Sequence, residues 1–125
     1  VDVSGCPDLA PPVAALLCCA EGESRILGAA RLRLKESDRL ATLAGQLGNL
    51  GADIREDGDA LVIRGKPFLT GGTVDPHRDH RIAMAAAVAS IRCLGPVEIR
   101  DPDCVRKSYP GFWDDFCRTA KEETK

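Results

Sequence analysis

Side-chain size on two helical stretches constrains the fold of this chain more than any other feature. Leu9 to Ala20 and His80 to Leu94 both read as helices, and both are rich in small residues. The first carries Ala14, Ala15 and Ala20, and the second Ala83, Ala85, Ala86, Ala87 and Ala89. Small side chains let a helix be surrounded on most sides by other elements. Such helices suit the inside of a domain whose sheets lie outside. Asp8 and Asp79 stand where N-caps are expected. Pro11 and Pro12 are compatible with the first helix, because the first four helical N–H groups lack intrahelical partners. Gly22 and Gly95 close the two stretches.

The elements between them alternate. Val1 to Val3 reads as the tail of a strand, and Ser24 to Gly28 as a second strand. Leu40, Leu43, Leu47 and Leu50 then form a helical stripe, and Gly51 sits where a left-handed C-terminal residue is expected. Asp53 to Glu56 and Ala60 to Arg64 form a hairpin around the turn pair Asp57-Gly58. Gly72 to Val74 and Val97 to Ile99 are short strands, and a last helix covers Gly111 to Lys121. Glu122 to Lys125 is expected to fray. The order predicts an α/β chain built as a βαβαββ unit followed by most of a second, about one and a half units in all. No low-complexity linker and no domain boundary are found within the chain.

Composition excludes several classes. The chain has 125 residues, enough for one modest domain with its own core. Its 17 basic and 19 acidic residues give a net charge of -2, which lacks the basic excess of a nucleic-acid partner. No segment approaches the roughly 20 apolar residues of a membrane span, and the N-terminal residues show no basic region followed by an apolar run, so no signal peptide is expected here. A start at Val1 rather than Met suggests a fragment, a processed chain or an incomplete reading frame. None of the six cysteines forms a C-x-x-C pair, so zinc-type spacing is absent and no metal or cofactor is expected. Free thiols in apolar stretches point to a reducing, cytoplasmic setting.

Polar groups gather where helices begin. Lys35-Glu36-Ser37-Asp38-Arg39 lies between a strand and an apolar helix, with Ser37 placed to cap that helix. Two cations at a helix N-terminus oppose its dipole, which favours an anion sitting between them. Pro7-Asp8, Asp79-His80-Arg81 and Arg106-Lys107 repeat the theme. Carboxylates, cations and a histidine together suit an anionic substrate and proton transfer. Each residue also has a plainer reading. Asp8 is a helix cap, His80 a partly buried helix start, Arg81 and Lys107 surface cations, and the Lys35 cluster a solvated turn.

Arg33-Leu34-Lys35-Glu36-Ser37-Asp38-Arg39-Leu40 closely resembles a signature of the 5-enolpyruvylshikimate-3-phosphate synthase family. Asp79-His80-Arg81-Ile82-Ala83-Met84-Ala85 resembles the family's second signature. Pro7-Asp8 and Arg106-Lys107-Ser108-Tyr109-Pro110 match in order and spacing. The resemblance spans almost the whole chain and covers only the C-terminal part of the enzyme.

The resemblance implies an inside-out α/β fold of βαβαββ units, with helices inward and sheets outward. It implies transfer of enolpyruvyl from phosphoenolpyruvate to shikimate 3-phosphate, with release of phosphate, in the route to chorismate and aromatic amino acids. The site would lie between two domains, so the N-terminal portion of the enzyme is an expected partner. By the same resemblance Asp8 is a base that contacts the shikimate hydroxyls, and Lys35 contacts the shikimate substrate and the reacting centre. Glu36 is a second acid–base carboxylate, Arg39, Arg81 and Lys107 hold phosphoenolpyruvate, and His80 lines the site. Arg31 stands where some members carry a substrate-contacting asparagine. The competing readings are a UDP-sugar enolpyruvyl transferase and a non-catalytic or partner-binding module on the same fold.

Overall fold

The computed structural model describes residues 1–35 and 37–123, with the side chains of Lys107 and of residues 119–123 outside the description. The first helix, α1, runs Ala10–Leu17 and is preceded by a 3₁₀ turn, Pro7–Leu9. Strand β1 (Glu23–Ile26) follows, then a 3₁₀ segment, Ala30–Leu34, and helix α2 (Arg39–Asn49). The expected hairpin comes next as β2 (Asp53–Asp57) and β3 (Ala60–Arg64). Strand β4 (Gly72–Val74), helix α3 (His80–Ser90) and strand β5 (Val97–Ile99) form a βαβ unit with β4 and β5 parallel. A 3₁₀ segment, Pro102–Lys107, leads to α4 (Phe112–Glu123).

β3 lies between β1 and β2 and is antiparallel to both. Asp2 bridges Leu27 in parallel, so the expected strand tail at Val1 to Val3 joins the edge beyond β1. The sheet divides by face as its two-residue period requires. Ile26, Ile54, Leu61 and Ile63 share one face in the register and belong to the core. On the other face Val62 sits between Arg25 and Arg55, whose aliphatic stems can cover it. Helices α1 and α2 pack against the inner face, and α3 packs against both of them. Seven of the eleven residues of α3 are buried, including Ala83, Ala85, Ala86, Ala87 and Ala89. The small-residue reading of an enclosed helix therefore holds.

Several sequence expectations shift, among them α4, which runs Phe112–Glu123 rather than Gly111 to Lys121, with residues 124–125 of the expected frayed tail outside the described residues. The hairpin turn is Gly58-Asp59 rather than Asp57-Gly58, because Asp57 pairs with Ala60 across the ladder. Gly58 takes φ +59 there, the left-handed conformation that the first residue of a tight hairpin turn demands. Helix α3 stops at Ser90 rather than Leu94. The backbone beyond it is claimed by the strand-like segment at Leu69, with Leu69 N donating to Arg92 O at 2.9 Å and Leu94 N to Leu69 O at 2.8 Å. Helix α1 ends at Leu17, short of Ala20. The 3₁₀ segments were not foreseen, since runs that short leave no periodic signature.

A seam of main-chain bonds joins the C-terminal end of α2 to the β4–α3–β5 unit. Thr70 N and Gly71 N both donate to Leu50 O, at 2.9 and 3.1 Å, and Gly72 N donates to Pro96 O at 3.1 Å. A Cβ on Gly72 would stand 2.7 Å from the carbonyl oxygen of Asn49, and φ there is +148. Only glycine fits a crossing that close. The seam sets α2 beside α3, so that their N-termini open on the same side.

Candidate active site

The site is built around a buried ion pair between those two N-termini. Arg39, the first residue of α2, is 1% exposed, and Asp79, the N-cap of α3, is fully buried. Arg39 Nε donates to Asp79 Oδ2 at 2.8 Å and Nη2 to Oδ1 at 3.2 Å, a bidentate fork. Ser37 Oγ donates to Asp79 Oδ2 at 2.8 Å, and Arg81 N to Oδ1 at 3.1 Å. Burial alone pushes the Asp79 carboxyl up, but the bonds from Arg39 and Ser37 outweigh it and hold the carboxyl below its usual range. Asp79 thus accepts four hydrogen bonds and is a fixed counter-charge rather than a proton carrier.

The outer layer is Asp8. Its carboxylate is 51% exposed and faces three cations. Arg39 Nη1 donates to Oδ1 at 3.0 Å, Lys35 Nζ lies 3.8 Å from Oδ1, and Arg81 Nη2 lies 3.5 Å from Oδ2. Lys35 and Arg81 keep 31% and 37% of their side chains exposed. An incoming anion therefore meets Lys35 and Arg81 first, with Arg39 behind them. Asp8 retains open lone pairs and access to solvent, which a proton acceptor needs.

Two cap assignments made from sequence change. Asp8 makes no capping bond, because α1 begins after Leu9 and the carboxylate turns to the cations instead. Ser37 is not the cap of α2. Asp38 takes that place, with Oδ1 accepting from Ala41 N at 3.2 Å, while Ser37 turns toward Asp79. The anion expected between the cations at this helix start is, for Arg39, supplied by the protein itself as Asp79 and Asp8. Asp79 was legible only as a cap; an acidic cap facing a second, basic helix start was the signal for its larger role.

The other expected residues divide. Lys35, Arg39, Arg81 and Asp8 come together as described. His80 opens α3 and is buried, with Nδ1 enclosed and without a hydrogen-bond partner among the described residues. Glu36 lies outside the described residues, as does the side chain of Lys107. Arg31 is exposed on the 3₁₀ segment before Lys35. Among the described residues no cluster of histidine, cysteine or acidic side chains could hold a metal ion, and no helix is long and apolar enough to cross a membrane. The six cysteines are free thiols. Burial pushes the Cys18 thiol up to about 12, so it behaves as an inert core residue.

Inward helices, outward sheets and cations gathered at helix starts define an inside-out α/β protein with a site suited to anions. The family model of EPSP synthase (3-phosphoshikimate 1-carboxyvinyltransferase) matches residues 1–116. A 3-phosphoshikimate 1-carboxyvinyltransferase of Clostridium perfringens is 52% identical over 116 residues, covering 93% of this chain and 27% of the relative. One from Gloeobacter violaceus is 50% identical over 115 residues, covering 92% of this chain and 27% of the relative. The solved EPSP synthase of Acinetobacter baumannii superposes with a TM-score of 0.79 at 36% identity, covering 85% of this chain and 25% of that one. The chain belongs to the EPSP synthase family, and it spans about a quarter of the length of the curated relatives it matches.

Proposed function

We propose that this chain supplies one wall of the active site of a 3-phosphoshikimate 1-carboxyvinyltransferase. The reaction moves enolpyruvyl from phosphoenolpyruvate to shikimate 3-phosphate and releases phosphate. The observation that carries the reading is the convergence of Lys35, Arg39 and Arg81 on Asp8 at the mouth of two helix N-termini. Asp8 takes the proton from the attacking hydroxyl, and Lys35 holds the shikimate substrate beside it. Arg39, Arg81 and Lys107 hold phosphoenolpyruvate, and His80 lines the same pocket. Glu36 protonates the methylene carbon. Soluble cytoplasmic operation fits the free cysteines.

Residues 1–125 are a partial domain of about one and a half βαβαββ units, and turnover needs the opposite wall as well. Closure over the ligands supplies positioning and removes water, which a single open wall does not. The isolated chain therefore binds either substrate weakly, in about the millimolar range, and does not turn over.

The test is a chimera in which residues 1–116 replace the matched segment of the Clostridium perfringens relative. The expected result is phosphate release with both substrates present. In parallel, shift mapping on the 125-residue chain should move the amides of Ser37 and Arg81 when either substrate is added. A folded, monodisperse chimera that binds neither substrate would defeat the reading.

A further inference from the structure

Arg33 is not among the residues assigned above, yet each of its guanidinium nitrogens is engaged. Nε donates to Asp59 Oδ1 at 2.9 Å. Nη2 donates to Glu56 Oε1 and to Gly58 O, each at 2.9 Å. Nη1 donates to Asp38 Oδ2 at 3.0 Å. The first three bonds grip the β2–β3 hairpin and its turn, and the fourth grips the cap of α2. Asp38 meanwhile uses its other oxygen to cap the helix through Ala41 N. The Arg33–Asp38 bond thus ties the residues that flank Lys35 and Ser37 to each other.

We propose that Arg33 is a positioning residue that holds Lys35 and Ser37 at the mouth of the site by clamping the α2 cap to the hairpin. The inference deepens the functional reading and rests on it for the roles of Lys35 and its neighbours. Single exposed ion pairs hold little, but a planar fork shared by three carboxylates and a carbonyl has one geometry. Asp59, Glu56 and Asp38 raise the guanidinium pKa further above its already high value, so the clamp keeps its charge at any working pH. A lysine has no fork and cannot reach the four acceptors together. Without the clamp, Lys35 and Ser37 keep only the 3.8 Å contact of Lys35 with Asp8 and the bond from Ser37 to Asp79. A misplacement of about 1 Å in a substrate-holding group can reduce a rate about 10²-fold.

The experiment compares Arg33→Gln, Arg33→Lys and Arg25→Gln in the chimera, with amide hydrogen exchange on the 125-residue chain. Arg25 is the control, because it pairs with Asp57 on the same hairpin at 3.2 Å. For Arg33→Gln the expected loss is about 10²-fold in kcat, with Lys35 and Ser37 amides exchanging faster and Leu43 and Leu47 amides unchanged. Arg33→Lys should recover part of both, and Arg25→Gln should match the unaltered protein. Unaltered kcat in Arg33→Gln, or unaltered exchange at Lys35 and Ser37, overturns the proposal, as does faster exchange spread through the whole of α2. If the unaltered chimera is itself inactive, the transferase reading fails while the exchange data still decide whether Arg33 holds the loop.

Discussion

Replacing Asp79 by asparagine isolates one charge at the centre of the molecule. Asparagine keeps the size of the side chain and remains a good helix cap, so the bond from Arg81 N can persist. What goes is the negative charge facing a guanidinium that is 1% exposed. Breaking a buried pair by removing one partner destabilises by about 3–5 kcal/mol, because the remaining charge stays desolvated. Asp8 still faces Arg39 at 3.0 Å and softens the loss, which favours the lower end. With an unfolding entropy near 2.1 cal/mol/K per residue, 3 kcal/mol corresponds to a fall in Tm of about 11 °C for a chain of 125 residues. The assay is urea and thermal unfolding of Asp79→Asn beside Asp8→Asn, where the exposed Asp8 pairs should contribute only about 0–1 kcal/mol. The acid limb adds a second readout. The carboxyl of Asp79 is held below its ordinary pKa, so its contribution is complete above the ordinary carboxylate range and disappears as pH falls through the depressed native value. The variant should lose that part of the pH dependence. Equal destabilisation by the two variants, or a loss under 1 kcal/mol for Asp79→Asn, would refute the view that the buried pair anchors the site.

Three further outcomes are expected. Lys35→Met in the chimera should remove most turnover and leave the melting temperature nearly unchanged, since Lys35 is partly exposed and lies 3.8 Å from Asp8; wild-type kinetics would return it to a solvated turn. Glu36→Gln should slow the chemical step by about 10²- to 10⁴-fold, read by single-turnover rates, and a loss confined to substrate affinity would make Glu36 a binding group instead. Gly65→Ala should destabilise the chain by about 1–3 kcal/mol or more, because a Cβ there would stand 1.5 Å from the carbonyl oxygen of Ala20; a melting temperature equal to that of the unaltered chain would show that the backbone yields at this crossing.

Periodicity and glycine placement made most of the fold legible. The leucine stripe from Leu40 to Leu50, the alanine-filled helix after Asp79 and the hairpin around Gly58 are all written locally. The displaced details depended on partners far along the chain. The early end of α3 comes from backbone bonds to Leu69 and Thr70, which no local pattern announces. The cap of α2 moved from Ser37 to Asp38 because Ser37 is drawn to a carboxylate 42 residues away. Asp8 left its expected capping role for the same kind of reason, since three cations compete for it. The cluster itself was visible as charges at helix starts, but which carboxylate is buried and which is open depends on how α2 and α3 meet. Arg33 looked like an ordinary basic residue in the signature because three of its four acceptors lie on the hairpin, more than twenty residues on.

The alanine-filled surface of α3 has a mechanical consequence. A helix studded with large side chains is keyed to its neighbours, each bulge seated in a matching hollow. A helix covered in methyl groups is close to a smooth rod, and sliding it along its axis disturbs little. The Arg39–Asp79 fork acts as an alignment pin across that smooth contact. A slip of one turn, about 5.4 Å, would carry the carboxylate out of reach of the guanidinium and strand both charges in a dry interior. The groups that gather around Asp8 are held in longitudinal register by this pin, and the helix that carries Arg81 needs few large side chains, chiefly Ile82, to key it elsewhere.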